Sequence, residues 1–279
     1  MVPQSRLLTP KNVIVDLLRM TRQHAVSSKS LVDTGELFGF NANAIRVTLS
    51  RLVSQGILEK DTRGHYRMAK KTDPISSYIE DWRIGEERRQ PEWNPDHWLI
   101  CHLPKKPQRS ARSRSLKALR FIGFREGLDN LWVRPANLRY EASEIESLLF
   151  HLGLEPAANL MATAHLNRAT TERWQHQLWN TKALTYGYRE GLKRIAASTK
   201  NLPSLSNKEA MAETFIVGGE AIHLLVKDPW LPDEMFASDE REELHTAMLK
   251  YDETGRKIWA KEVKHLQVKV TPRHLRLVK

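Results

Sequence analysis

Several polar side chains able to hydrogen-bond with DNA bases recur on one side of a predicted helix between residues 41 and 55. These candidates are Asn43, Ser50 and Arg51, with Arg46 and Thr48 at the flanks. Arginine pairs with guanine through two hydrogen bonds, and asparagine pairs similarly with adenine. The opposite stripe is apolar at helical spacing: Ile45, Leu49, Leu52 and Val53. The pattern predicts a helix that reads bases, and a solvated surface helix is the alternative.

A short hairpin is predicted directly after this helix. Its arms are residues 57–60 and 65–68, and residues 62–65 form the turn. Arg63 and His65 belong to this turn, where they can contact the DNA backbone. The hairpin therefore supplies candidate phosphate contacts beside the candidate base contacts.

The elements before the candidate helix predict how it is positioned. Thr9 and Pro10 open a first helix, and Ser30 with Asp33 resembles a capping box for a second helix. Gly39 ends that second helix, and Asn41 is the expected N-cap of the next one. This order is typical of a winged helix-turn-helix.

Composition favours a polyanionic partner. The chain has 279 residues, with 44 Lys and Arg against 33 Asp and Glu, a formal net charge of +11 and a pI near 9.8. The single cysteine, Cys101, excludes an intramolecular disulfide and a cysteine-rich zinc site. No apolar run is long enough to span a bilayer, so we expect a soluble cytoplasmic protein without a membrane partner.

The rest of the chain predicts an α+β multidomain fold. Residues 1–71 are the expected DNA-binding domain, and 72–95 are a linker with a helix at about 75–87. Residues 96–168 predict the order β-α-β-β-α-β of a ferredoxin-like domain. Within them, Ser143 and Glu146 predict a capping box, and 127–129 predict a hairpin turn. Residues 169–279 predict a helical domain whose first helix starts near 170 and is broken at 202–204. Ser206 with Glu209 is the expected cap of the next helix, and the basic tail, 264–279, is expected to be loose.

With these pieces in order, the chain resembles the PaaX family of bacterial repressors of phenylacetic acid degradation and related catabolic operons. The resemblance rests on residues 38–53, on 119–124 with 131–135, and on 228–232. It implies a winged-helix domain, a central ferredoxin-like (Cas2-like) domain and a helical C-terminal domain. It also implies a homodimer and an acyl-CoA effector, such as phenylacetyl-CoA, that releases DNA. A twofold dimer in turn predicts a palindromic operator. Residues 237–241 depart from the family pattern, which leaves the identity of the acyl group open.

The Cas2-like resemblance also raises a nuclease as the alternative. Such an enzyme holds a metal with an Asp at the end of its first strand, but here Lys105 and Lys106 follow that strand and Asp96 precedes it. The histidines show no ligand spacing, and we find no nucleophile elbow. We therefore expect no enzymatic activity, no metal and no cofactor. A DNA-binding protein without a small effector is the third possibility.

Two further residue groups have open interpretations. The densest basic run comprises Lys105, Lys106, Arg109, Arg112, Arg114, Lys117 and Arg120. It predicts a solvated surface, a contact with the DNA backbone or a site for the phosphates of CoA. The basic residues at 189–194 are the alternative candidates for the CoA phosphates. The aromatic residues at 174, 179, 186 and 188 are expected in the core or at a dimer contact, with a ligand pocket as the alternative.

Overall fold

The computed structural model describes residues 9–21, 25–69, 74–90, 92–104, 109–163 and 165–263. The described chain is mixed helix and sheet, with two small antiparallel sheets, as the predicted α+β class requires. It divides into two compact units, 1–72 with 195–220 and 250–279, and 73–194 with 221–249. The predicted tail at 264–279, and Lys105 and Lys106, lie outside the described residues.

The N-terminal part of the first unit contains three helices and a three-stranded sheet. The elements are α1 Pro10–Met20, β1 Val26–Ser27, α2 Ser28–Leu37, α3 Ala42–Ser54, β2 Leu58–Lys60 and β3 His65–Met68. Thr9 caps α1 by accepting a hydrogen bond from the Asn12 amide at 3.2 Å. The antiparallel sheet has the order β1-β3-β2, so the predicted hairpin gains a third strand.

The start of α2 differs from the prediction. Ser27, rather than Ser30, is the N-cap, and its hydroxyl accepts a hydrogen bond from the Ser30 amide at 3.1 Å. Val26 is buried and pairs with Tyr66 in the sheet, which fixes where the extended chain must end. The helix therefore begins as soon as β1 is complete, and Ser30 is buried within its first turn.

The core of this unit combines residues that are distant in sequence. Its N-terminal members include Ile14, Leu18, Leu31 and Ile45. They share one cluster with side chains from distant positions: Met211, Phe215, Ile258 and Trp259. The Phe38 and Phe215 rings lie 5.0 Å apart, and the Trp259 indole donates to the Thr214 hydroxyl at 3.3 Å. The predicted boundaries run consecutively, whereas the observed unit joins 1–72 to 195–220 and 250–279 because these apolar faces cover one another.

The second unit is built on a four-stranded antiparallel sheet of order β5-β6-β4-β7. Its sheet region contains β4 Trp98–His102, α5 Arg109–Phe121, β5 Arg125–Leu128, β6 Leu131–Pro135, α6 Ala142–His151 and β7 Asn159–Thr163. It is preceded by α4 Pro74–Glu80 and a 3-10 segment, Asp81–Arg88. The elements follow in the predicted order β-α-β-β-α-β, and the central strand β4 is almost entirely buried.

Two boundaries in this sheet region differ from the sequence prediction. The hairpin turn lies at Asp129 and Asn130, rather than at 127–129, and Asn130 adopts a positive φ of 58°. The capping box of α6 consists of Glu141 and Glu144, rather than of Ser143 and Glu146. The Glu144 carboxylate accepts a hydrogen bond from the Glu141 amide at 2.9 Å.

The helical region begins with two helices where one was predicted. They are α7 Arg168–Gln177 and α8 Thr181–Asn201. Asn180 lies between them and accepts a hydrogen bond from the Ala183 amide at 3.0 Å, which restarts the helix. The chain continues through a 3-10 turn, Leu202–Ser204, to α9 Asn207–Lys227, α10 Asp233–Phe236 and α11 Asp239–Val263. Ser206 and Glu209 form the predicted cap of α9.

Residues 228–232 form a buried turn inside the second unit. The Asp228 carboxylate accepts from the Trp230 amide at 2.7 Å and from the Tyr188 hydroxyl. Arg134 donates to the Pro229 carbonyl at 3.2 Å, and burial lowers the pKa of Arg134 to about 10. Trp230 has a positive φ of 50°, so the surrounding hydrogen bonds hold a strained backbone. This motif therefore supports the fold of its unit.

The tryptophans of the second unit are largely core residues. Trp174 and Trp179 are buried and pack on Trp98 of β4, and Tyr188 is buried beside Asp228. Tyr186, by contrast, is 67% exposed and is not a core residue, so for this residue the alternative of a dimer contact stays a prediction. Cys101 is fully buried in β4.

Candidate nucleic-acid interface

The helix α3 is held in place by its cap and by its apolar stripe. The Asn41 side chain accepts a hydrogen bond from the Ala44 amide at 2.8 Å, as predicted for an N-cap. Ile45, Leu49 and Leu52 are buried in the core, with exposures of 1% or less. Gly35 of α2 lies so close that a Cβ atom there would be 2.4 Å from Ile45 Cδ1. The polar side of α3 therefore faces away from a tightly packed contact.

The opposite side of α3 carries the predicted hydrogen-bonding residues. Asn43, Arg46, Ser50 and Arg51 are exposed, together with Val47. No acidic residue occurs between positions 38 and 58, so no nearby carboxylate in that stretch neutralises the two arginines. We call Asn43, Arg46, Val47, Ser50 and Arg51 the reading face. It presents two cations and two small polar groups on one rigid helix.

Thr48 differs from the other predicted contact residues. It is half-buried, and its hydroxyl donates to the Ala44 carbonyl of the same helix at 2.7 Å. This back-bonding occupies the hydroxyl proton and lowers its availability for an external partner. Thr48 therefore lies at the edge of the reading face.

The hairpin tip is organised by a residue that the sequence pattern did not single out. One Asp61 carboxylate oxygen accepts from the Arg63 amide at 2.9 Å and from the His65 amide at 2.8 Å. Gly64 provides the positive φ of 78° that the turn requires. The pKa of Asp61 lies below its ordinary value, mainly because the carboxylate accepts the hydrogen bond from the His65 amide. An aspartate two residues before the turn centre is the local signal that could have identified this role.

The two predicted hairpin residues are in different environments. Arg63 is exposed at the tip. His65 is half-buried, and its ring Nδ1 lies 3.6 Å from the Asp61 carboxylate. Further along the hairpin, Arg67 forms an ion pair with Glu59 at 2.7 Å. The exposed guanidinium of Arg63 is thus better placed than His65 or Arg67 to approach a phosphate.

The other basic run lies mainly on α5 of the second unit. Arg109, Arg114, Lys117 and Arg120 are exposed there. Arg112 donates to the Asn130 side chain at 3.0 Å, and Arg120 lies over the Trp132 ring at 5.3 Å. Arg189, in the second candidate segment, is paired with Glu240 at 2.6 Å. Lys193 likewise pairs with Glu190 at 2.7 Å, so Arg112, Arg189 and Lys193 are already engaged within the protein.

A group of metal ligands would favour the alternative of a metal-dependent nuclease, and a membrane-spanning helix would favour a membrane partner. Within the described ranges, no group of three or more His, Cys, Asp or Glu residues could hold a metal ion. Asp96 precedes β4 rather than following it. Among the described helices, none combines the length and the apolar character needed to cross a membrane.

Comparison with solved structures finds a protein of similar fold. It is described as uncharacterized protein Rv0674 from Mycobacterium tuberculosis, with a TM-score of 0.60 and 20% sequence identity. The similarity covers 93% of this chain and 99% of that chain, so it concerns nearly the whole fold. A search of curated proteins finds no match.

A protein-family model matches the part of the chain that carries the reading face. The model is described as PaaX-like protein, and it matches residues 9–72. This segment contains α1, α2, α3 and the hairpin. The resemblance drawn from the sequence is confirmed here: residues 9–72 are PaaX-like.

Proposed function

We propose that this protein is a DNA-binding transcriptional regulator of the PaaX type, most simply a homodimeric repressor. The observation that carries the proposal is the reading face, presented by a helix within a segment that matches the PaaX-like family model. The three helices and the hairpin have the layout of a winged helix-turn-helix. The net charge of +11 adds a general attraction to DNA.

In this proposal α3 enters the major groove. Arg46 and Arg51 reach guanine edges or nearby phosphates, and Asn43 and Ser50 complete the base contacts. Thr48 contributes from the edge of the face. Arg63, assisted by His65, contacts the phosphate backbone from the hairpin, and such a contact carries no direct sequence information.

Binding measurements with matched arginine variants test the proposal. A preferred duplex is first selected from a random library with the wild-type protein. Arg46→Ala and Arg51→Ala should each lose about 1–3 kcal/mol of binding free energy on that duplex and much less on scrambled DNA. Arg63→Ala should weaken binding to both duplexes, because phosphates are common to both.

Arg168→Ala is the matched control, because Arg168 is an exposed arginine of the second unit that pairs with Glu172. It should bind like the wild type. Unchanged affinity in both helix variants would contradict the assignment of α3 as the reading helix.

The proposal includes a homodimer that binds an inverted repeat. One winged helix buries too little surface for tight specific binding, so two copies should act together. A twofold dimer places half-sites about 10 bp apart or at a multiple of that spacing. Light scattering should give the mass of a dimer, and footprinting should show one palindromic protected region. A monomer that protects a single asymmetric half-site would contradict the dimer.

We further propose that the remainder of the chain dimerises and senses an acyl-CoA. The β-α-β-β-α-β order and the β5-β6-β4-β7 sheet support a ferredoxin-like, Cas2-like central domain, followed by a helical domain. The exposed cations of α5 remain candidates for the phosphates of CoA. Calorimetry with a panel of acyl-CoAs and free acids, followed by DNA binding with each, tests this role. A thioester that binds without changing DNA affinity would remove the effector from the proposal.

A further inference from the structure

A branched apolar side chain occupies the middle of the reading face. Val47 is 59% exposed, the largest exposed fraction among the large apolar side chains of the first unit that the structure describes. Asn43 and Arg51 lie one turn before and one turn after it, Ser50 lies three positions after it, and Arg46 lies at the flank. Val47 is therefore surrounded by the residues proposed to contact bases.

Neither helix stability nor core packing explains a valine at this position. Valine is a weaker helix former than alanine or leucine because its branched side chain loses rotamer freedom against the preceding turn. Its exposure also means that little apolar surface is buried in the folded chain. Single exposed apolar residues are common on protein surfaces. The informative feature is therefore the central position within a polar face.

The major groove offers one apolar group for such a side chain. Among the base edges exposed there, only thymine presents a methyl group, at C5. The centre of a helix face that enters the groove lies closest to the base edges, whereas long arginines reach outward from its flanks. A short, rigid, branched side chain at this centre is suited to van der Waals contact with a methyl group.

We propose that Val47 is a specificity-determining residue that recognises the C5-methyl group of a thymine in each half-site. This inference rests on the proposed DNA-binding function and adds a sequence requirement to it. The preferred duplex should contain a T·A pair between the pairs contacted through Arg46 and Arg51. The requirement concerns the methyl group itself and not the hydrogen-bonding groups of that base pair.

Uracil substitution isolates the methyl group. Each thymine of the selected duplex is replaced in turn by deoxyuridine, which keeps the base pairing and removes only the methyl. Fluorescence anisotropy then gives the affinity of the full-length protein for each duplex. We expect one thymine per half-site whose replacement weakens wild-type binding about fourfold, the effect of losing one buried methyl-sized group.

The variant Val47→Ala provides the second arm of the experiment. Alanine is a better helix former and the site is exposed, so we expect this variant to fold normally, which circular dichroism checks. Its affinity for the thymine duplex should fall to the level that the wild type shows when this thymine is replaced by uracil in both half-sites, because the homodimeric variant loses both contacts. Uracil replacement should then change its binding less than about 1.5-fold, because the methyl has lost its contact.

The outcomes separate this inference from the function on which it rests. If the wild type binds a preferred duplex but no thymine methyl matters, Val47 does not read one and DNA recognition stands. The same conclusion follows if Val47→Ala retains the full sensitivity to uracil. If the wild type prefers no duplex at all, the proposed function fails and this inference fails with it.

Discussion

Cys101 lies at the centre of the sheet in the second unit, where its chemistry is suppressed. The side chain is fully buried in β4, and burial raises the pKa of the thiol to about 12. Since the thiolate is the reactive form, the native protein should not react with a thiol reagent at pH 8. A colorimetric disulfide reagent should detect no thiol in buffer and one thiol per chain in guanidinium. Rapid labelling of the native protein would contradict this burial.

Asp61 shows how one carboxylate organises the hairpin tip. Hydrogen bonds from the backbone, led by that of His65, lower its pKa in the folded protein. A lowered pKa means that the charged form stabilises the fold. This contribution is fully present above the pKa of the unfolded chain, about 3.9, and disappears as pH falls through the lower, folded value.

An amide titration tests this account of the tip. The NMR shifts of the Arg63 and His65 amides should follow a single protonation below pH 4, and Asp61→Asn should abolish that titration while it keeps the acceptor oxygen. Asp61→Ala should lose both the titration and the ordered tip. An unchanged low-pH titration in Asp61→Asn would show that another group is responsible.

Sequence reasoning at the residue scale succeeded where one side chain makes one local contact. The cap Asn41 and the positive-φ glycines Gly39 and Gly64 follow from such local rules. The cap of α2 was assigned to Ser30 instead of Ser27 because three serines, at 27, 28 and 30, compete for one role. Only the pairing of Val26 with Tyr66 decides between them, and that pairing joins residues distant in sequence.

The contact between α2 and α3 depends on a glycine. A Cβ atom at Gly35 would lie 2.4 Å from Ile45 Cδ1, and Ile45 is fully buried, so the isoleucine cannot move aside easily. We expect Gly35→Ala to destabilise the protein by about 1–3 kcal/mol through overpacking. Urea denaturation, followed by circular dichroism, measures the change.

Gly219→Ala is the matched control, since Gly219 lies in α9 and a Cβ atom there would meet no neighbouring group within 4 Å. That substitution should stabilise the protein by roughly 0.5–1 kcal/mol, because alanine restricts the unfolded chain and favours helix. Equal effects of the two substitutions would contradict the close helix contact.

Element types were more predictable than their boundaries. The alternation from strand to helix at 97–163 predicted the observed order of β4 through β7. The two-residue strand β1 was missed because so short a segment has no periodicity. The single helix predicted from about 170 to the break at 202–204 is interrupted at Asn180, because the side chain of Asn180 caps a new helix. For α3, the spacing of Ile45, Leu49 and Leu52 was sufficient to predict the buried side.

At the scale of the whole molecule, the first unit requires segments that are distant in sequence. Met211, Phe215 and Trp259 complete the core formed by α1, α2 and α3. We expect a fragment of residues 1–72 to be much less stable than the same region in the full chain, because it exposes this apolar face. Fluorescent dye binding and thermal melting of the fragment provide the measurement.

Trp259→Ala in the full-length protein is the companion experiment. Truncation of this buried ring should cost about 3–5 kcal/mol. Substitution of Tyr186, which is 67% exposed, should change stability by less than about 0.5 kcal/mol. A fragment that melts cooperatively at the temperature of the full chain would show that the distant side chains contribute little.

The shared core of the first unit also has a consequence during synthesis. The ribosome completes residues 1–72 roughly 190 residues before it adds Trp259, a delay of about 10–40 s at ordinary elongation rates. During that interval the apolar surface that Met211, Phe215 and Trp259 later cover has no intramolecular cover. We therefore expect chaperones to bind the nascent N-terminal segment. Slow translation of the last third of the messenger RNA should increase the aggregation of this segment.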